Sequence, residues 1–207
     1  MEIVRRTPHK SGHIDNALPL QAGQASKGFA PTSLLLILII GTVLTLSMQS
    51  FLWSHISDDS YISFRYMRRF MDGKGLTFND GERVEGFSHP LWIFLVAGCS
   101  KLSGFAVPNV ARMIGLTVAL LSVACLFVSR RALVFGNQIG AATIVLLLVF
   151  PGFHAYATSG LETPLFMFLV TLGTVASIAK PEPSALASLS FGCAAITRPE
   201  GILYGLA

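Results

Sequence analysis

Charged residues are scarce in this sequence, since only 13% of its 207 residues are Asp, Glu, Lys or Arg. A soluble domain would carry about 25%. Hydrophobic residues make up 52% of the chain, and the mean hydropathy is +0.63. Long apolar runs between short polar segments are typical of several membrane spans. The composition therefore argues against an ordinary soluble domain and predicts an all-α, polytopic integral membrane protein.

Cysteine is also scarce, because Cys99, Cys125 and Cys193 are the only three in the chain. They are far apart, lie in apolar sequence and form no CxxC pair. This spacing indicates neither a disulfide framework nor a cysteine metal site. We expect these side chains to pack between helices.

Acidic residues are fewer than basic ones, which gives a formal net charge of +4. The basic residues lie in loops and at the ends of apolar runs rather than on one soluble face. This distribution favours contact with the lipid bilayer and argues against nucleic acid as a partner.

The first 31 residues are polar and rich in Gly and Pro, and they read as a disordered cytoplasmic tail. Residues 32–53 form the first predicted span, long enough to cover roughly 30 Å. A cleaved signal peptide is the alternative, but the run is long and lacks an A-x-A site. The basic tail then places the N-terminus in the cytoplasm. Residues 32–207 are predicted to form a single membrane module.

Later apolar runs predict further spans at residues 109–129, 139–154, 163–179 and from 184 onward. Pro151 and Gly152 interrupt the second of these runs. The run at 90–102 would reach only about 20 Å, so we interpret it as a helix at the membrane surface. This gives about five spans and places 54–108, the first outer loop, on the same face as 155–162. Because the chain ends within an apolar run, we expect it to be incomplete.

The first outer loop begins with a predicted amphipathic helix. Ser57 or Asp58 can cap its start, and the turn residues from Asp72 onward end it. One predicted stripe is apolar and aromatic, and the other is basic: Ile62, Tyr66 and Phe70 form the first, and Arg65, Arg68 and Arg69 the second. Such a helix can hold an anionic lipid headgroup, or it can simply rest on the interface.

Several side chains in this loop are of types that can catalyse a reaction or bind a ligand. Asp58 and Asp59 follow a span directly, where a carboxylate can act as general base or help to hold a divalent cation. Capping of the helix is the alternative role. His89 and Trp92 lie at a membrane boundary and suit a sugar or lipid-headgroup surface. Trp92 can equally be an interfacial anchor.

Three ionisable residues lie further along the chain. Glu162 follows Ser159-Gly160 at the predicted outer end of a span. Arg198 and Glu200 lie within an apolar run, where charges are costly and indicate functional sites. Pairing of Arg198 with Glu200 is the structural alternative.

A set of motifs across residues 57–207 resembles a known family. These are Asp58-Asp59-x-Tyr61-Ile62-Ser63-Phe64-Arg65-Tyr66, Gly73-x-Gly75-Leu76-x-Phe78-Asn79-x-Gly81-Glu82-Arg83-Val84-Glu85-Gly86, Leu91-Trp92, Ser159-Gly160-Leu161-Glu162-Thr163 and Thr197-Arg198-Pro199-Glu200-Gly201. They are similar to those of bacterial GT-C glycosyltransferases, especially the arabinofuranosyltransferase-like branch. Phe87-Ser88-His89-Pro90 departs from that branch, which more often has a Tyr-Thr pair, and is closer to protein mannosyltransferases.

The resemblance implies an inverting glycosyltransferase of the bacterial inner membrane. It would move a sugar from a polyprenyl-phosphate donor to a cell-surface glycan or lipid on the extracytoplasmic face. Asp58 would be the general base, Asp59 its neighbour or a metal ligand, and Arg65 the clamp on the donor phosphate. The expected donor-phosphate and substrate-binding residues are Arg65, Tyr66, Glu85, His89, Trp92, Glu162, Arg198 and Glu200. The resemblance implies no particular cofactor, although Asp58 and Asp59 could hold a divalent cation.

Two other functions remain open at the level of sequence. A transporter or lipid-binding membrane protein could use the same charged residues for substrate contact. The chain could also be an inactive, truncated remnant of the glycosyltransferase.

Overall fold

The computed structural model describes residues 55–81, 84, 86–129, 136–179 and 184–206, with positions 36, 39–41, 43, 44, 47, 48 and 51. This part of the chain is helical and contains no strand, which confirms the all-α prediction there. The helices are α1 (Asp58–Met71), α2 (Pro90–Ser103), α3 (Val107–Ser129), α4 (Gly136–Val149), α5 (Pro151–Thr158), α6 (Thr163–Ala179), α7 (Ala185–Thr197) and α8 (Gly201–Gly205). The predicted tail at 1–31 lies outside the described residues.

The described positions between 36 and 51 are helical, as the first predicted span requires. Gly41 approaches α4 closely, because a Cβ atom there would lie 2.6 Å from Leu148 Cδ1. This segment therefore packs against α4 at a position where only glycine fits without movement of the leucine.

One described helix, α3, is long and apolar enough to cross a membrane, with 23 residues and a mean hydropathy of 2.1. The pair α5 and α6 also passes this test if it is counted as one span, although the chain is bent by 113° between the two helices. The apolar helices α2 and α7 have 14 and 13 residues. The predicted count of about five spans is therefore not confirmed.

The predicted interruption at Pro151 is present, because α5 begins at that residue, where a missing N–H is tolerated.

Two apolar clusters hold the helices together. The first joins α1, α2, α3 and α6 around the fully buried Trp92, Phe64 and Met67. The second joins α3, α4 and α5 around Ile144 and Phe153. Residues 159–162 connect α5 to α6 and form the α5–α6 bend, which lies beside α1. Helix α6 packs against α3 and α7.

The buried face of α1 differs from the predicted stripe. Ile62 and Phe70 are 43% and 41% exposed, whereas Ser60, Ser63, Phe64, Tyr66 and Met67 are buried. The two serines present little bulk, so this face can approach the backbone of the α5–α6 bend. Apolar periodicity alone did not indicate this buried face, because it gives no weight to small polar side chains.

Candidate functional site

The start of α1 is fixed to the bend between α5 and α6. The backbone N–H of Ser57 donates to the carbonyl oxygen of Ser159 at 3.1 Å. The Ser60 hydroxyl donates to the same oxygen at 2.7 Å. Ser57 precedes the helix in an extended conformation, but its side chain makes no capping hydrogen bond. The acidic start of α1 is thereby held next to the segment that contains Glu162.

Trp92 joins the loop to the same bend from the other side. Its side chain is fully buried, and its indole N–H donates to the carbonyl oxygen of Gly160 at 3.1 Å. Gly160 has a φ of +85°, a conformation that favours glycine. The prediction of Trp92 as a sugar-binding surface or interfacial anchor is therefore corrected, because no surface of this side chain is left for a ligand.

Tyr66 is likewise a structural residue, at 1% exposure. Its hydroxyl donates to the Val84 carbonyl at 2.8 Å and accepts from the Gly86 N–H at 3.1 Å. A Cβ atom on Gly86 would lie 2.7 Å from the tyrosine oxygen, so the close approach requires glycine. The predicted contact of Tyr66 with substrate is corrected to a contact that positions the segment leading to His89. Glu85 lies outside the described residues.

Arg65 and Arg69 hold the turn that follows α1. Arg65 Nε donates to the Phe78 carbonyl at 2.6 Å, and its guanidinium lies 4.6 Å from the centre of the Phe78 ring. Arg69 pairs with Asp80, and this hydrogen bond holds the pKa of the Asp80 carboxyl below its usual value. The guanidinium of Arg65, the predicted phosphate clamp, is thus engaged with this turn.

A cleft of about 580 Å³ lies between the start of α1, the segment before α2, the α5–α6 bend and the end of α7. Its polar lining includes Asp59, Ser63, Ser88, His89, Glu162 and Arg198. Four of the predicted site residues, Asp59, His89, Glu162 and Arg198, are therefore brought together. Asp58 and Asp59 are both exposed, but only Asp59 is among the lining residues.

Glu162 is the centre of a charged network in this cleft. Its two carboxylate oxygens lie 3.8 Å from His89 Nδ1 and 3.8 Å from Arg198 Nε. Arg198 Nε also lies 3.6 Å from Glu200, so the predicted pairing of these two residues is present. The Glu162 and His89 side chains are each 12% exposed, whereas that of Arg198 is 36% exposed.

Ser63 extends the network on the α1 side. Its hydroxyl oxygen lies 2.8 Å from His89 Nε2. Burial lowers the pKa of His89, the Glu162 carboxylate raises it and Arg198 lowers it, with a net decrease from 6.5. Ser63 was not among the residues expected at the site. Its position four residues after Asp59, on the same side of a helix, was the available signal.

The described residues contain no group of three or more His, Cys, Asp or Glu side chains arranged to hold a metal ion. Asp58 and Asp59 are adjacent on a helix, so their side chains leave it about 100° apart. Within the described part of the chain, this pair therefore has no third protein ligand of these types. Binding of a divalent cation there remains a prediction.

The chain is similar to the terminal β-(1→2)-arabinofuranosyltransferase of Mycobacterium tuberculosis, with 30% identity over 172 aligned residues. The alignment covers 72% of this chain but only 27% of the relative, so the chain spans about a quarter of that protein's length. No protein-family model and no solved structure matches the chain. The similarity supports an arabinosyltransferase-like relationship.

Proposed function

We propose that the chain is part of a membrane glycosyltransferase. It moves a sugar from a polyprenyl-phosphate donor to a cell-surface glycan or lipid on the extracytoplasmic face of the bacterial inner membrane. The observation that supports this most directly is the cleft, where Asp59, His89, Glu162 and Arg198 converge from separate segments. The similarity to an arabinofuranosyltransferase supports the same reaction class.

The reaction we propose is a single displacement. A carboxylate of the Asp58–Asp59 pair takes the proton of the acceptor hydroxyl, and the hydroxyl oxygen attacks the anomeric carbon of the donor sugar. The bond between that carbon and the phosphate oxygen breaks, and the lipid phosphate leaves with the bonding electrons. Attack opposite to the leaving group inverts the anomeric centre.

Of the two carboxylates, we favour Asp59 as the base. Asp59 lines the cleft, whereas Asp58 is absent from its lining. The two side chains leave α1 about 100° apart, so a ligand in the cleft would meet one of them more directly. The sequence motif alone favoured Asp58, because the first acidic residue of the pair is the usual base in the family that it resembles.

Arg198 is the cation we propose for the departing phosphate. It lines the cleft and its guanidinium is partly exposed, while Arg65 contacts the turn at Phe78. An arginine near the developing negative charge would stabilise the transition state. Glu162 and Glu200 hold the guanidinium in place through the ion pairs at 3.8 and 3.6 Å.

The test is sugar transfer by the purified chain in detergent micelles, with a panel of radiolabelled polyprenyl-phosphate sugars and a cell-wall glycan extract. We expect product with at least one donor. Asp59→Asn should lower the rate by about 100-fold to 10,000-fold, as expected for loss of a general base.

Asp58→Asn is the matched control, because it removes a neighbouring carboxylate of the same helix turn. We expect it to retain most of the activity. Full activity of Asp59→Asn would contradict the choice of base. Movement of labelled lipid or sugar across vesicles without formation of a glycosidic bond would instead favour the transporter.

A further inference from the structure

One wall of the cleft carries a side chain, His89, that lies between two polar partners, Ser63 and Glu162. Ser63, His89 and Glu162 come from α1, from the segment before α2 and from the α5–α6 bend. Ser63 Oγ lies 2.8 Å from His89 Nε2, and His89 Nδ1 lies 3.8 Å from the Glu162 carboxylate. Each imidazole nitrogen therefore faces a different partner.

The donor and acceptor groups of Ser63 and Glu162 determine which imidazole nitrogen of His89 carries the proton. A carboxylate only accepts hydrogen bonds, so the negative charge of Glu162, 3.8 Å from Nδ1, favours the neutral tautomer that carries its proton on Nδ1. Nε2 is then an acceptor, and the Ser63 hydroxyl must donate to it. Ser63 is only 3% exposed, but unlike Tyr66 and Trp92 it lines the cleft, so a lone pair of its oxygen is left to accept a hydrogen bond from a molecule there.

The hydroxyl of Ser63, like those of Ser60 and Ser100, makes its hydrogen bond outside its own helix, unlike those of three other helical serines. Ser122, Ser177 and Ser190 each donate to the carbonyl oxygen four residues earlier, at 2.7–2.9 Å. That bond keeps the hydroxyl within its own helix. Ser63 instead makes its hydrogen bond to an imidazole in the cleft wall.

The charges around His89 favour its neutral form near pH 7. Burial and the Arg198 guanidinium lower its pKa, while the Glu162 carboxylate raises it. Asp59 on α1 lines the same cleft, and Glu200 pairs with Arg198. The net decrease below 6.5 favours the neutral imidazole under neutral conditions.

We infer that Ser63 is a substrate-recognition residue that accepts a hydrogen bond from a hydroxyl group of the bound sugar, in a direction set by the His89–Glu162 pair. The identity of the ligand as a sugar rests on the proposed function. When His89 is protonated, Nε2–H donates to the Ser63 oxygen. The serine hydroxyl then presents a donor to the cleft, and a sugar hydroxyl must reverse its own hydrogen bond to meet it.

The test is binding of methyl arabinofuranoside to the full chain in detergent micelles, measured by saturation-transfer NMR between about pH 5 and pH 7.5. Wild-type affinity should fall as the pH decreases through the titration of His89. Ser63→Ala should weaken binding about threefold to tenfold at neutral pH, as expected for one neutral hydrogen bond. It should also remove most of the pH dependence.

His89→Asn is a second variant with the same expected result, because asparagine can still donate toward Glu162 but offers no Nε2. Ser122→Ala is the matched control, since Ser122 is also a buried helical serine but does not line the cleft. It should bind like the wild type. The per-O-methylated glycoside has no hydroxyl to donate, so its affinity should be equal in wild type and Ser63→Ala.

The outcomes separate this inference from the proposed function. Glycoside binding with the expected pH dependence, but no sugar transfer, would support the role of Ser63 and contradict the transferase. Transfer by a Ser63→Ala variant with unchanged KM and pH profile would overturn the role of Ser63 and leave the transferase intact. Absence of glycoside binding by the wild type would also overturn it.

Discussion

The hydroxyl of Ser60 donates a 2.7 Å hydrogen bond to the carbonyl oxygen of Ser159, which lies 99 positions further along the chain. The Ser57 N–H donates to the same oxygen at 3.1 Å. These bonds join the acidic start of α1 to the bend that precedes Glu162. The geometry of the cleft therefore depends on the conformation of a short segment, residues 159–162.

Gly160 should be a sensitive position in this segment. Its φ of +85° strains any other residue, and a Cβ atom would lie 2.7 Å from Phe64 Cζ and 3.2 Å from Ser60 Cβ. We expect Gly160→Ala to lower the free energy of unfolding by about 1–3 kcal/mol. Thermal or denaturant unfolding in detergent micelles measures this change.

Gly192→Ala is the control for the glycine substitution. Gly192 lies within α7, and a Cβ atom there would have no heavy atom within 4 Å. Alanine should stabilise an exposed helix by up to about 1 kcal/mol relative to glycine. Equal effects of the two substitutions would contradict the role we assign to the bend.

Local signals in the sequence predicted the limits of α1 well. Ser57 precedes the helix, and Asp72 and Gly73 end it, with Gly73 at a φ of +75°. These features depend on neighbouring residues only. The buried face of α1 could not be predicted in this way, because it depends on the contact between Ser60 and Ser159.

The candidate site could likewise be predicted only where it depends on residues that are close in the chain. The pairing of Arg198 with Glu200, two positions apart, could be anticipated from their closeness in the chain. The contacts of Glu162 with both His89 and Arg198 are long-range and follow from the packing of the bend. Trp92 and Tyr66 look like ligand-binding residues in sequence, but their burial depends on partners far away or across a loop.

Glu162 should contribute more to stability than Glu200, although both pair with Arg198. The Glu162 side chain is 12% exposed and faces two partners, whereas that of Glu200 is 59% exposed. We expect Glu162→Gln to lower the free energy of unfolding by about 1–2 kcal/mol. This is less than for a fully buried pair, because the Arg198 guanidinium is partly solvated. Glu200→Gln should cost less than about 0.5 kcal/mol.

Unfolding of the two glutamine variants under identical conditions tests this difference. The variants remove the same charge, so a general effect of net charge cancels in the comparison. A larger loss for Glu200→Gln would show that the solvent-exposed pair dominates and would contradict the network that we describe.

Trp92 should behave as a structural residue rather than as a sugar contact. Trp92→Phe removes the donor to the Gly160 carbonyl and leaves a buried acceptor unpaired. The free energy of unfolding should therefore fall by about 1–3 kcal/mol. The chain has two tryptophans, so a Trp53→Phe background isolates the fluorescence of Trp92. Its emission should resist quenching by acrylamide and should not change when methyl arabinofuranoside is added. A shift caused by direct contact with the sugar would restore the original prediction.

The pH dependence of stability gives a last prediction, which concerns His89. Its pKa in the folded chain lies below the ordinary value of 6.5, chiefly because burial disfavours the charged form. Above about pH 6.5 the residue is neutral in both states and contributes no pH dependence. Below that pH the unfolded chain takes up a proton more readily, so the free energy of unfolding should fall until the folded pKa is reached.

Unfolding measured between about pH 5 and pH 7.5 should show this decrease in the wild type and a smaller one in His89→Asn. Asp80 does not interfere, because its pKa is lowered from 3.8 and its contribution is lost only at more acidic pH. An identical decrease in both proteins would show that another group causes it. A wild-type stability that rises as the pH falls would mean that the Glu162 carboxylate outweighs burial, so that the pKa of His89 is raised rather than lowered in the folded chain.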